Sequence, residues 1–96
     1  MHVSTSAATI AVKLVYLARL REAFDTTGEN LVLTVEGEQV TVADVLAALI
    51  ARGGAWALEL APGRAVRVAV NYVMVGRDAP LRAGDEVAIF PPVTGG

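Results

Sequence analysis

Glu86-Val87-Ala88-Ile89-Phe90-Pro91-Pro92-Val93-Thr94-Gly95-Gly96 ends the chain, and it divides at Phe90. Glu86 to Phe90 alternates: Val87 and Ile89 lie on one face, and Glu86, Ala88 and Phe90 on the other. That is the period of a strand. Pro91-Pro92 then stops sheet pairing, because proline has no N–H to give, and biases the chain to an extended path. Residues 91–96 read as a flexible tail of at most about 20 Å. Gly95 and Gly96 have no side chains and can thread a channel too narrow for other residues. The α-carboxylate of Gly96 would arrive at its bottom.

A last strand needs a sheet, and the preceding residues supply one. Asp78–Asp85 reads as a loop with Pro80 and Gly84. Val73–Val75 is extended, Asn71 bends the chain, and Ala65–Val70 alternates. Pro62-Gly63 is a turn, and Trp56–Leu60 a short helical segment. Thr41 opens the main helix. Thr41-Val42-Ala43-Asp44 fits a capping box with Asp standing in for Glu, and Val42, Val45, Leu46, Leu49 and Ile50 form one apolar stripe. Gly53-Gly54 ends it. Leu31–Val35 is a strand followed by a turn at Gly37, Asp25–Asn30 a loop, and Ala18–Phe24 a short helix. Ile10–Leu17 is the first strand, with Ile10, Val12, Leu14 and Tyr16 on one face. The order ββαβ(β)β predicts an α+β two-layer fold: a four- to five-stranded sheet with one long helix across one face. The 96 residues read as one domain, with residues 1–9 a mobile extension.

One sheet face is then left uncovered. Alternation assigns to it Lys13, Val15 and Leu17, then Arg67 and Ala69, then Glu86, Ala88 and Phe90. Its apolar end lies at the base of the tail, where it is a candidate partner site. The competing expectation is that Phe90 folds back onto the core.

Composition narrows the chemistry. A hydrophobic fraction of 54% excludes disorder, yet the longest apolar run, Val45–Ala51, is seven residues. A membrane span needs roughly 20. A net charge of −2 removes the footprint of a nucleic-acid binder. The N-terminus lacks a secretory pattern, so the cytoplasm is the expected compartment. With no cysteine and only His2 for histidine, thiolate or histidine metal sites, a cysteine nucleophile and a Ser-His-Asp triad are all excluded. Asp78, Asp85 and Glu86 read as turn formers, Arg19, Arg21 and Glu22 as a solvated face, and Trp56 as a packing residue. Gly53-Gly54 lacks the surroundings of a phosphate loop. Carboxylate acid–base pairs remain open on composition, and so does the chemistry of the C-terminus itself. Transfer of Gly96 to AMP makes a mixed anhydride, and attack by sulfide or a persulfide leaves a thiocarboxylate. Such a carrier needs no thiol of its own.

From Val12 to Gly96 the chain resembles the small, sulfur-carrier subunits of molybdopterin synthase, in the MoaD/ThiS group of ubiquitin-like β-grasp proteins. The resemblance rests on Val12–Ala23 (VKLVYLARLREA), Thr41–Leu49 (TVADVLAAL), Val70-Asn71, and above all Gly84-Asp85-Glu86-Val87-Ala88-Ile89-Phe90-Pro91-Pro92-Val93-Thr94-Gly95-Gly96. It implies that a ubiquitin-activator-like enzyme spends ATP to adenylate Gly96, with no cofactor or metal held permanently. It also implies that the tail enters a large catalytic subunit, which passes the sulfur to cyclic pyranopterin monophosphate within a heterotetramer. The small subunit is then not an enzyme by itself. Gly96 is the implied sulfur carrier and Gly95 its threading neighbour. Leu17, Met74 and Phe90, with Pro91, Pro92, Val93 and Thr94, are the implied partner contacts. Tyr72 departs from the pattern, where the family is more often polar. A sulfur carrier for thiazole or cysteine synthesis, or a ubiquitin-like modifier or interaction module, are the alternatives.

Overall fold

The two most distant strands in sequence lie side by side at the centre. β1 (Thr9–Tyr16) pairs in parallel with β7 (Glu86–Phe90) in the computed structural model, which describes residues 8–35 and 37–91. Between them the chain forms α1 (Arg19–Phe24), β2 (Gly28–Thr34), β3 (Val40–Thr41), α2 (Val42–Ile50), α3 (Gly54–Leu60), β4 (Arg67–Val70), β5 (Val73–Val75) and β6 (Pro80–Leu81). The main sheet has the order β2-β1-β7-β4-β5, and every neighbouring pair except β1–β7 is antiparallel. This is the mixed sheet of a ubiquitin-like β-grasp fold.

The alternation of β1 sends Val12, Leu14 and Tyr16 into the core, where each is at most 1% exposed. Val87 and Ile89 join them from β7, and Val42, Val45, Leu46 and Leu49 from the stripe of α2. Burying each such side chain stabilises the fold by about 1.5–3 kcal/mol. At the start of α2 the Asp44 carboxylate accepts the Thr41 backbone N–H at 2.8 Å and its hydroxyl at 3.2 Å. Aspartate therefore performs the glutamate role of the capping box.

Several local expectations are corrected. Asp25–Asn30 is not all loop, because β2 starts at Gly28 and pairs Gly28, Glu29 and Asn30 with Val15, Leu14 and Lys13. Gly28 is required there: a Cβ would sit 2.2 Å from the Leu14 carbonyl oxygen. Ala18 lies outside the first helix, at φ 55° and ψ −138°. Gly53-Gly54 does not merely end α2; both have positive φ, and Gly54 opens α3. β4 begins at Arg67 rather than Ala65. The Asp78–Asp85 loop contains β6, which pairs with β3 in a separate two-stranded sheet. The expected extension of residues 1–9 is too long, because Thr9 already pairs with Thr34 in β1 and Ala8 accepts the Val35 N–H at 2.8 Å; residues 1–7 and the tail from Pro92 onward lie outside the described residues.

Candidate functional site

The outer face of the sheet is built from the residues that β1, β7, β4 and β5 turn away from α2. Register lines Val15, Ala88, Ala69 and Met74 up in one row across four strands. Beyond this row, toward the tail, Leu17 donates its N–H to the Ile89 carbonyl at 3.1 Å, which seats it beside Phe90. Phe90 pairs with Arg67. None of Val15, Leu17, Met74, Ala88 and Phe90 belongs to the core cluster or packs against it. Phe90 therefore does not fold back. Leu17 and Met74 are 39% and 53% exposed, and Phe90 and Pro91 are half-buried.

Ala69 is the exception on this face. It was expected to be uncovered and is buried, although it stands outside the core. Its methyl barely rises above the pleat, and Ala88 and Met74 flank it. At the other end of the face Lys13 lies opposite Glu86, so charge replaces apolar surface there.

The motif halves Val70-Asn71 and Gly84-Asp85-Glu86 meet at this charged end. The Asn71 side-chain amide donates to Asp85 Oδ1 at 3.0 Å, and its oxygen accepts the Glu86 N–H at 3.0 Å. The Asn71 N–H donates to the Glu86 carbonyl at 2.8 Å. Asp85 also accepts the Arg82 N–H at 2.8 Å, as a turn former does, and its carbonyl accepts the Lys13 N–H at 2.9 Å. These bonds set where β7 starts, and so where the chain leaves the sheet after Phe90.

The opposite face holds a polar network that the sequence reading missed. Tyr16 donates its hydroxyl to Glu29 Oε2 at 2.7 Å. Arg52 grips the same carboxylate with two hydrogen bonds of 2.8 and 2.7 Å. Burial, and then the neighbouring carboxylate, hold the Tyr16 phenol far above its ordinary value. The Arg52 hydrogen bonds hold the Glu29 carboxyl below its ordinary 4.5, against an opposing effect of burial. Trp56 is a packing residue: it stacks on Phe24 at 3.9 Å, meets Tyr16 edge-on, and carries the Arg52 guanidinium 4.5 Å above its ring. The one available signal was Tyr16 itself, since a tyrosine on a buried face must find a partner for its hydroxyl. Arg19, Arg21 and Glu22 are exposed, as expected of a solvated face, and Arg19 also bridges to Glu59 of α3 at 2.7 Å.

A groove of about 320 Å³ between α2 and β5 is lined by Val42, Leu46, Met74 and Val75, with Arg67 and Arg77 its charged groups. It contains no acid–base pair. No group of His, Asp or Glu among the described residues could hold a metal ion, and no helix among them is long and apolar enough to cross a membrane. The expected site residues Pro92, Val93, Thr94, Gly95 and Gly96 lie outside the described residues. The structure brings Leu17, Met74, Phe90 and Pro91 to the face and edge from which those residues continue.

Comparison with known proteins follows the same outline. The molybdopterin synthase sulfur carrier subunit of Escherichia coli K12 is 39% identical over 85 residues, covering 88% of this chain and 99% of that protein. The solution structure of the Haloferax volcanii HVO 2177 protein superposes with a TM-score of 0.79 at 29% identity, covering 99% of this chain and 94% of that one. Small archaeal modifier protein 1 of Haloferax volcanii gives a TM-score of 0.70 at 27% identity, covering 90% and 99%. The ThiS family model matches residues 14–96, so it takes in most of the sheet and of its outer face together with the terminus, and this chain belongs to the ThiS family.

Proposed function

We propose that this chain is the sulfur-carrier subunit of a molybdopterin synthase and works in the cytoplasm. The observation that carries the proposal is the 39% identity to a carrier subunit over 99% of that protein's length. The outer face supports it, because apolar surface is left open beside the strand that leads into the tail. In this reading Gly96 attacks ATP with its carboxylate, releasing pyrophosphate and forming an acyl-adenylate on an activating enzyme. Hydrosulfide displaces AMP and leaves the thiocarboxylate directly; a persulfide displaces AMP with its outer sulfur to form an acyl disulfide, whose S–S bond a second thiol then cleaves, leaving the thiocarboxylate and a new disulfide. The large subunit receives the tail, with Leu17, Met74 and Phe90 against its surface and Pro91-Pro92 keeping the tail extended. There the sulfur passes to cyclic pyranopterin monophosphate.

Mass spectrometry after incubation with the activating enzyme, ATP and a sulfur donor tests this. Exchange of one oxygen for sulfur should add about 16 Da and map to Gly96. No gain with a competent enzyme, or full activity after deletion of Gly95-Gly96, overturns it. A second reading, a ubiquitin-like modifier, is favoured by the likeness to small archaeal modifier protein 1. It requires Gly96 in isopeptide linkage to lysines of other proteins, which the same spectra would reveal.

A further inference from the structure

The β4–β5 hairpin turns through Asn71-Tyr72, and both residues are left-handed, at φ 49° and 71°. Two left-handed residues are what a tight two-residue hairpin demands, and the second position favours glycine. Asparagine tolerates this conformation; a tyrosine there is strained. Tyr72 is nevertheless 88% exposed, so nothing in the fold repays the strain. The backbone beneath it is held firmly, since Asn71 is bonded through its side chain and its N–H to Asp85 and Glu86. A strained residue on a pinned turn with no packing role is a sign of function.

Tyr72 also continues the outer face. Met74 ends the row Val15, Ala88, Ala69 and is 53% exposed, and Tyr72, two residues before it, shares its strand phase and is 88% exposed. With strands about 4.8 Å apart and about 3.3 Å per residue, Tyr72 lies some 12 Å from Ala88 and Phe90 about 7 Å from it on the other side. The tail reaches at most about 20 Å past Phe90, so a protein that encloses Gly96 must press against the Phe90 end of this face, opposite the end where Tyr72 stands. A standard interface of about 800 Å² per partner is a disc of about 16 Å radius. Centred on Ala88, it takes in both Phe90 and Tyr72.

We infer that Tyr72 is a docking anchor for the protein that receives the tail, and that it extends the apolar contact from Leu17, Met74 and Phe90 to the free edge at β5. The inference rests on the proposed function, in which that protein is the large synthase subunit. Tyr72 acts by positioning the carrier and touches no reacting atom.

Titration calorimetry of the full chain against the purified large subunit tests it, with thermal melting of each variant alongside. Tyr72→Asn and Tyr72→Gly should weaken binding about tenfold, the order of 1.4 kcal/mol, as loss of an aromatic anchor does. Neither should lower the melting temperature, because both residues suit the turn. Tyr72→Phe, which keeps the ring, should bind within about twofold of the native chain. Native binding that Asn and Gly leave unchanged overturns the inference alone. Weaker binding matched by a lower melting temperature also overturns it, as a structural effect. Failure of the native chain to bind the large subunit overturns the proposed function and the inference with it.

Discussion

The two faces of the sheet come from the same strands and differ by one residue in phase. Leu14 and Tyr16 are 0% exposed, yet Val15 between them is half-buried and Leu17 is 39% exposed. The inner face gains its stability within the chain, from α2 and from the Tyr16–Phe24–Trp56 cluster. The outer face leaves Leu17, Met74 and Phe90 without such partners. Apolar surface that does not serve the fold is available to serve association. Substitutions on the two faces should therefore separate into losses of stability and losses of binding.

The largest effect is expected inside. Leu14→Ala should cost about 2–5 kcal/mol in denaturant unfolding, by lost burial and a residual cavity. A cost below 1 kcal/mol would mean that the inner face is not the core. Gly28→Ala comes next, at about 1–3 kcal/mol, because its Cβ is driven against the Leu14 backbone and β1 and β2 must move apart. This variant weakens the sheet by parting two strands and leaves the core side chains in place. On the outer face Phe90→Asp should weaken binding to the large subunit at least tenfold, about 1.4 kcal/mol. Its unfolding free energy should fall by less than about 1 kcal/mol, the range of strand propensity. Intact binding with failed folding would reverse the assignment of Phe90.

The smallest effect is a pH dependence confined to the inner network. Glu29 has a lowered carboxyl pKa, so its contribution is present above the ordinary 4.5 and is lost as pH falls through the lower folded value. Tyr16 has a raised pKa. Its contribution is complete below the ordinary 10.0 and declines as pH climbs past it, when only the unfolded phenol ionises. Denaturant midpoints across pH should show a shallower acid limb in Glu29→Gln and a shallower alkaline limb in Tyr16→Phe. Leu17→Asp, on the outer face, should leave the alkaline limb unchanged.

Legibility followed the range of the interaction. The α2 stripe and the alternation of β1 and β7 could be read directly, because each depends on neighbours along the chain. Gly28–Asn30 looked like a turn by composition, yet pairing with Val15, Leu14 and Lys13 draws these residues into a strand. β3 and β6 have two residues each and exist only through one another. Glu29 and Arg52 are 23 residues apart, and nothing local brings them together. In the candidate site, Leu17 and Phe90 were placed by alternation and Met74 by resemblance. Tyr72 was visible only as a departure from pattern until its φ angle and exposure were known.

By itself the sequence determined which residues face inward, where the main helix begins, and that the last strand must release its chain at Pro91-Pro92. These follow from side-chain period, capping geometry and the missing N–H of proline, all of which act over a few residues. Only the tertiary structure decided that β1 and β7 lie side by side, that Asn71 ties the hairpin to Asp85 and Glu86, and that a strained tyrosine stands on the edge of the open face. Those arrangements depend on which distant segments pair, and pairing is decided by the burial and hydrogen bonding of the whole sheet.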